Sequence, residues 1–165
     1  MDILTFRAVE LPPMRVAFRR ALGADSEAVA WREVLAWCHR NGLLRPDAPP
    51  RLFGYDSRSP VRVATPYGYE AWVRLDEGFV GDGRIAVREA PGGLYAGLRT
   101  LTLGLGWEWV RAHLSEWMDA NGYAADPARS WLEEHILDPA SFTRYPHLLY
   151  TGFDILLPIR PVRRG

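Results

Sequence analysis

The chain has no lysine: all twenty of its basic residues are arginine. That excludes Schiff-base chemistry and serine–lysine catalysis. It has one cysteine, Cys38, so no intrachain disulfide can form and a reducing compartment fits. His39, His113, His135 and His147 show no metal-ligand spacing, and a single cysteine completes no zinc site. No apolar run approaches the ~20 residues that span a bilayer, so no membrane association is expected. The start, Met1-Asp2-Ile3-Leu4-Thr5, carries an acid where a secretory signal carries bases, and a cytoplasmic protein is expected. Twenty acids balance twenty bases, which leaves no basic footprint for direct nucleic-acid binding. There is no Gly-x-Ser-x-Gly elbow. Gly104-Leu105-Gly106 lacks the remainder of a dinucleotide fingerprint and reads as a strand-to-helix turn. Neither metal nor cofactor is expected.

What the chain does have is self-similarity. Trp37-Cys38-His39-Arg40-Asn41-Gly42 and Trp117-Met118-Asp119-Ala120-Asn121-Gly122 share Trp, three spacers and Asn-Gly, at a shift of 80 from Trp37 to Trp117. Gly68-Tyr69-Glu70-Ala71-Trp72-Val73 reads like Gly152-Phe153-Asp154-Ile155-Leu156-Leu157, at a shift of 84 from Gly68 to Gly152. Ala17 aligns with Ala96, at a shift of 79. Such a period sets architecture before any single residue is weighed. Two half-domains, about 1–80 and 81–165, form one domain. Each leaves an apolar face that the other covers, and their seam is a place for a ligand cleft.

The local signals agree with two halves. Phe6 to Phe18 is a strand broken at Pro12-Pro13, and Ile85 to Leu103 is one broken at Pro91-Gly92-Gly93. A helix capped by Asp25 or Ser26 runs to Asn41-Gly42, with Val34, Leu35, Trp37 and Cys38 as its apolar positions. Its mate spans Trp107 to Ala120, with Trp107, Val110, Leu114, Trp117 and Met118 on one stripe. Trp37 and Trp117 belong to the core. Leu52 to Asp56, Tyr67 to Leu75, Trp131 to Leu137 and Leu148 to Ile159 read as strands. Asp76-Glu77-Gly78 and Gly81-Asp82-Gly83 mark the junction of the halves. Arg160 to Gly165 reads as a frayed basic tail. The fold class is α+β: tandem strand-helix-strand-strand units, a mostly antiparallel sheet, and two main helices on one face.

Chemistry concentrates in Trp131-Leu132-Glu133-Glu134-His135-Ile136-Leu137. Alternation puts Trp131, Glu133 and His135 on one face and Leu132, Glu134 and Ile136 on the other. At the shift of 80, Phe53 stands for Glu133 and Tyr55 for His135. If that face is covered, Glu133 is a carboxylate with no lysine to pair it, and a candidate functional group; the alternative is that it pairs with an arginine or faces water. Aromatic rings attract cations by ~0.5–2 kcal/mol each. Tyr55, Tyr69, Trp72, Tyr95, Trp107 and Tyr150 are candidate walls around the acid. Tyr67 and Tyr69 share one strand face, and Trp72 takes the other.

The duplicated units, Tyr69-Glu70-Ala71-Trp72-Val73-Arg74, the Pro-Gly-Gly-Leu-Tyr-Ala within Val87 to Ala96, Glu133 to Pro139 and Phe153-Asp154-Ile155-Leu156-Leu157-Pro158-Ile159 resemble the GyrI-like small-molecule-binding family. That family includes the effector-binding domain of AraC-type transcription activators. The resemblance covers nearly the whole chain. It implies that Glu133 supplies the acid of an aromatic-lined pocket for lipophilic, often cationic compounds, and it places the family's Tyr-Ala motif at Tyr95-Ala96. The motif tyrosine is His135 here; a histidine beside Glu133 would respond to pH and, when charged, repel a cation. No helix-turn-helix segment precedes residue 6, so a stand-alone pocket is expected.

The resemblance admits three functions. The first is sensing or sequestering a lipophilic small molecule, as in multidrug binding. The second is hydrolysis of strained cyclopropane-type genotoxic natural products, with Glu133 as general base and His135 assisting. The third is a protein-interaction role toward gyrase or a regulator.

Overall fold

The computed structural model describes residues 5–56, 68–102, 104 and 106–162. The first half supplies β1 (Phe6–Leu11), β2 (Met14–Leu22), α1 (Ser26–Arg40), β3 (Leu52–Asp56) and β4 (Gly68–Arg74). The second supplies β5 (Ala86–Ala90), β6 (Gly93–Thr100), α2 (Trp107–Asn121), β7 (Tyr123–Ala125), β8 (Leu132–Leu137) and β9 (Tyr150–Pro161), with a short 3-10 helix at Pro139–Arg144. Both predicted breaks are present as interruptions of extended chain: Pro12-Pro13 separates β1 from β2, and Pro91-Gly92 separates β5 from β6. Among the described residues, no helix is long and apolar enough to cross a membrane.

The repeated Trp-xxx-Asn-Gly has a local cause. The Asn41 side-chain amide donates to the Trp37 carbonyl at 2.9 Å, and Asn121 does the same to Trp117 at 2.7 Å. Gly42 (φ +67°) and Gly122 (φ +73°) then take the left-handed turn that ends each helix. Asp25 is the N-cap of α1, but it makes no side-chain capping bond there.

One antiparallel sheet runs β1-β6-β9-β8-β3-β4-β2-β5, with β7 paired to β9. Matching β1, β2, β3 and β4 to β5, β6, β8 and β9 reverses this order onto itself. Each half lends a strand to the other: β1 pairs with β6, and β5 pairs with β2. The ladders also set the correspondence inside the halves. Ala17 pairs with Val73 and Ala96 with Leu157; Gly54 pairs with Ala71 and Glu133 with Ile155. The shifts are therefore 79 (Ala17 to Ala96, Gly54 to Glu133) and 84 (Val73 to Leu157, Ala71 to Ile155). The shift of 80 expected for β3 holds only between the helices. A one-residue slip exchanges sheet faces, so the counterparts of Glu133 and His135 are Gly54 and Asp56, not Phe53 and Tyr55.

Both helices cover one face. α1 packs on Ala17, Tyr69, Ala71 and Val73. Val110 of α2 packs on Ala96, Leu98, Ile155 and Ile159. Trp37 is buried and donates from Nε1 to Asp82 at the junction of the halves, at 2.9 Å. Trp117 is only half-buried, stacked on Tyr123. The opposite face holds a second cluster with Val16, Phe53, Trp72, Tyr95, Leu132 and Leu156. β8 starts at Leu132, one residue later than expected, and β9 carries the chain through Arg160 and Pro161, so the tail begins further on. Tyr67, Arg163 and Arg164 lie outside the described residues.

Candidate functional site

The ladder Gly54–Glu133 joins the two halves at the middle of the sheet. Glu133 points to the helix-covered face and is 7% exposed; His135, two residues on, is 6% exposed. Tyr69 comes from β4 on the same face. Its Oη lies 1.8 Å from where a Cβ on Gly54 would stand, so only glycine admits it. From there Tyr69 donates to Glu133 Oε2 at 3.0 Å, and accepts from Trp31 Nε1 of α1 at 3.0 Å. His135 Nε2 is 3.4 Å from Glu133 Oε2 and 3.3 Å from Tyr69 Oη. His135 Nδ1 is buried with no partner among the described residues.

Rings enclose this polar knot. Trp31 lies 4.2 Å from the His135 ring, and Phe153 meets it edge-on at 5.0 Å. Tyr150 stacks on Phe153 at 5.5 Å and is 46% exposed, so it faces solvent at the outer edge. Trp107, 41% exposed, meets Trp131 edge-on at the start of α2.

The electrostatics are acidic. The other buried carboxylates, and the half-buried Glu134, are paired with arginine: Glu70 with Arg88, Glu134 with Arg51, Asp154 with Arg7 and Arg99. Among the described residues Glu133 has no arginine partner, only Tyr69 and His135. Glu27, in the first turn of α1, feels the same site. Partial burial pushes its carboxyl above the ordinary range; Glu133 and Asp56 push it further, and His135 opposes them. Burial, then the Glu133 charge, raises the Tyr69 hydroxyl, while the bond from Trp31 opposes the rise. Partial burial and Glu27 raise Tyr150. Glu133 and His135 are thus buried among rings, with exposed Glu27 and half-buried Asp56 close enough to act on the same site electrostatically. Among the described residues no group of three or more His, Cys, Asp or Glu is arranged to hold a metal.

Of the residues expected to form the site, Glu133, His135, Tyr69 and Tyr150 come together. Tyr55, Trp72 and Tyr95 gather on the opposite face, around a cavity of about 270 Å³. Strand parity separates them: Tyr55 and Trp72 alternate with the residues that face Glu133. Trp107 packs with Trp131 beside α2. Sequence reasoning missed Trp31, Glu27, Phe153 and the role of Gly54. Gly54 was legible only through the correct shift of 79, which the ladders supply.

The elements form a small α+β domain, an antiparallel sheet with two helices on one face. The chain belongs to the GyrI-like small molecule binding domain family, whose profile matches residues 4–160. The fold is shared with solved structures at low identity. A hydrolase from Listeria innocua superposes with a TM-score of 0.61 at 13% identity, covering 94% of this chain and 91% of that one. The EcmrR C-terminal domain gives 0.60 at 13%, covering 98% and 100%. SAV2435 bound to tetraphenylphosphonium gives 0.50 at 9%, covering 95% and 94%. No curated protein sequence matches the chain.

Proposed function

We propose that the chain binds a lipophilic, cationic small molecule over Glu133, for effector sensing or sequestration. The observation that carries this reading is the buried Glu133 carboxylate, without an arginine partner among the described residues, near Glu27 and among Trp31, Tyr69, Tyr150 and Phe153. A cation would place a positive charge beside Glu133, which among the described residues has no arginine partner, and rings favour it further once water is excluded. The tetraphenylphosphonium-bound SAV2435 structure shares the fold and supports this choice of probe. We read the strand order as an internal duplication in which one half kept Gly54 and the other placed Glu133 at the matching position. Titration with tetraphenylphosphonium should quench tryptophan fluorescence saturably. Glu133→Gln should weaken that binding by about tenfold or more, roughly 1.4 kcal/mol. An unchanged affinity in Glu133→Gln rejects the assignment.

The second reading is a hydrolase at the same residues. It is favoured by the Tyr69–Glu133–His135 cluster and by His135 Nδ1, buried without a partner among the described residues. Glu133 would take a proton from water while the oxygen bonds to a ring carbon. The strained carbon–carbon bond breaks, and its electron pair is protonated in turn. Mass spectrometry of a cyclopropane-bearing substrate should show a water adduct that disappears in Glu133→Gln. Equal adduct formation by that variant excludes this reading. The exposed Trp107, Trp109 and Leu101 leave an interaction role toward gyrase or a regulator to be tested by pull-down.

A further inference from the structure

On the sheet face away from Glu133, the cavity of about 270 Å³ has a different chemistry. Its walls include Tyr55, Trp72, Tyr95 and Leu132, and two guanidinium groups, Arg88 and Arg129. Arg88 lies 4.9 Å from the Trp72 ring and 4.3 Å from Phe18; Arg129 lies 4.7 Å from Tyr95. The acids that hold them stand outside the lining. Arg88 is bonded to Glu70, which also accepts from Trp72 Nε1 at 2.9 Å. Arg129 donates to Asp126 at 2.8 Å and to the carbonyls of Gly92, Leu94 and Ile159. No carboxylate lines the cavity, so its walls present the positive ends of both ion pairs.

Neither arginine is free to swing away. Arg129 is fixed by four bonds, and Arg88 is held between its acid and two rings. Pre-set planar guanidinium groups suit a carboxylate, because little side-chain freedom is lost on binding. Ser130 Oγ and Tyr55 Oη, 3.3 Å apart, add hydroxyl groups to the lining. The volume is at the small end of ligand sites, enough for one or two fused rings.

We propose that this cavity is a second ligand site, separate from Glu133, that accepts a small planar aromatic carboxylate. The ring lies against Trp72 and Tyr95, and the carboxylate faces Arg88. The two sheet faces would then bind ligands of opposite charge.

Naphthoate and its neutral analogue naphthamide are the probes, titrated into the full chain by calorimetry. Naphthoate is expected to bind saturably, and naphthamide at least about tenfold more weakly. Arg88→Lys keeps a charge against Glu70 but loses the planar fork, and should weaken naphthoate. Ala128 is exposed and lines the cavity. Ala128→Trp should therefore plug it without touching the core, abolishing naphthoate binding while tetraphenylphosphonium binding stays as in the native chain. The proposal is overturned by absent naphthoate binding, by equal affinity for the amide, or by naphthoate binding that survives Ala128→Trp. Each of these leaves the reading of Glu133 standing.

Discussion

Tyr69 is the residue on which the site's order turns. Its hydroxyl satisfies Trp31 Nε1 and Glu133 Oε2 together. Tyr69→Phe leaves a buried donor and a buried carboxylate without that partner. The expected cost is about 1–3 kcal/mol, read as a lower urea midpoint at unchanged slope. Glu27 makes a prediction in pH. Its folded-state carboxyl titrates above the ordinary 4.5, so the native state holds this proton more tightly than the unfolded chain. Its contribution to stability is present below 4.5 and is lost as pH rises through the raised value. Glu27→Gln should therefore raise the neutral-pH Tm and flatten the decline of Tm across that window. Affinity for a cation runs the other way, rising as Glu27 ionises. Cys38 is buried, and burial pushes its thiol up to about 12. A thiol reagent should label it only after unfolding, and fast labelling of the native protein would contradict that placement.

At the scale of elements, β3 and β8 make the site through one matched pair, Gly54 and Glu133. Gly54 leaves the space in which Tyr69 Oη sits, and Glu133 fills the equivalent place on β8. Gly54→Ala puts a methyl 1.8 Å from that oxygen. Tyr69 must move, and the bond to Glu133 breaks. The overpacking should cost about 1–3 kcal/mol, and tetraphenylphosphonium affinity should change with it. Thermal melts and the fluorescence titration check both. The helices and most strands were legible from periodicity and turn chemistry, because alternation and the Asn-Gly stops act locally. The short β7 and the 3-10 helix at Pro139–Arg144 were not: each is too brief to show a period. The face of Tyr55 was misplaced for a related reason. A shift read from a helix was applied to a strand, where one residue decides which side a ring faces.

For the whole molecule, the exchange of edge strands matters most. β1 has β6 as its ladder partner, and β5 has β2, so neither half closes its own sheet. Fragments 1–80 and 81–165, made separately, should show no cooperative melt, and mixing them should restore one. A cooperative transition in either fragment alone would count against the exchange. The amino-acid sequence by itself determined the class of fold and the helix ends, and it singled out Glu133 as a candidate. These follow from patterns within a few residues, from the Asn-Gly helix stops and the alternation along each strand. Only the tertiary structure decided which rings stand beside that acid, that Trp31 and Glu27 descend on it from α1, and that Tyr55, Trp72 and Tyr95 enclose a separate cavity with Arg88 and Arg129. Those outcomes depend on strand register and on helix placement across residues far apart in the chain, and no local pattern encodes either.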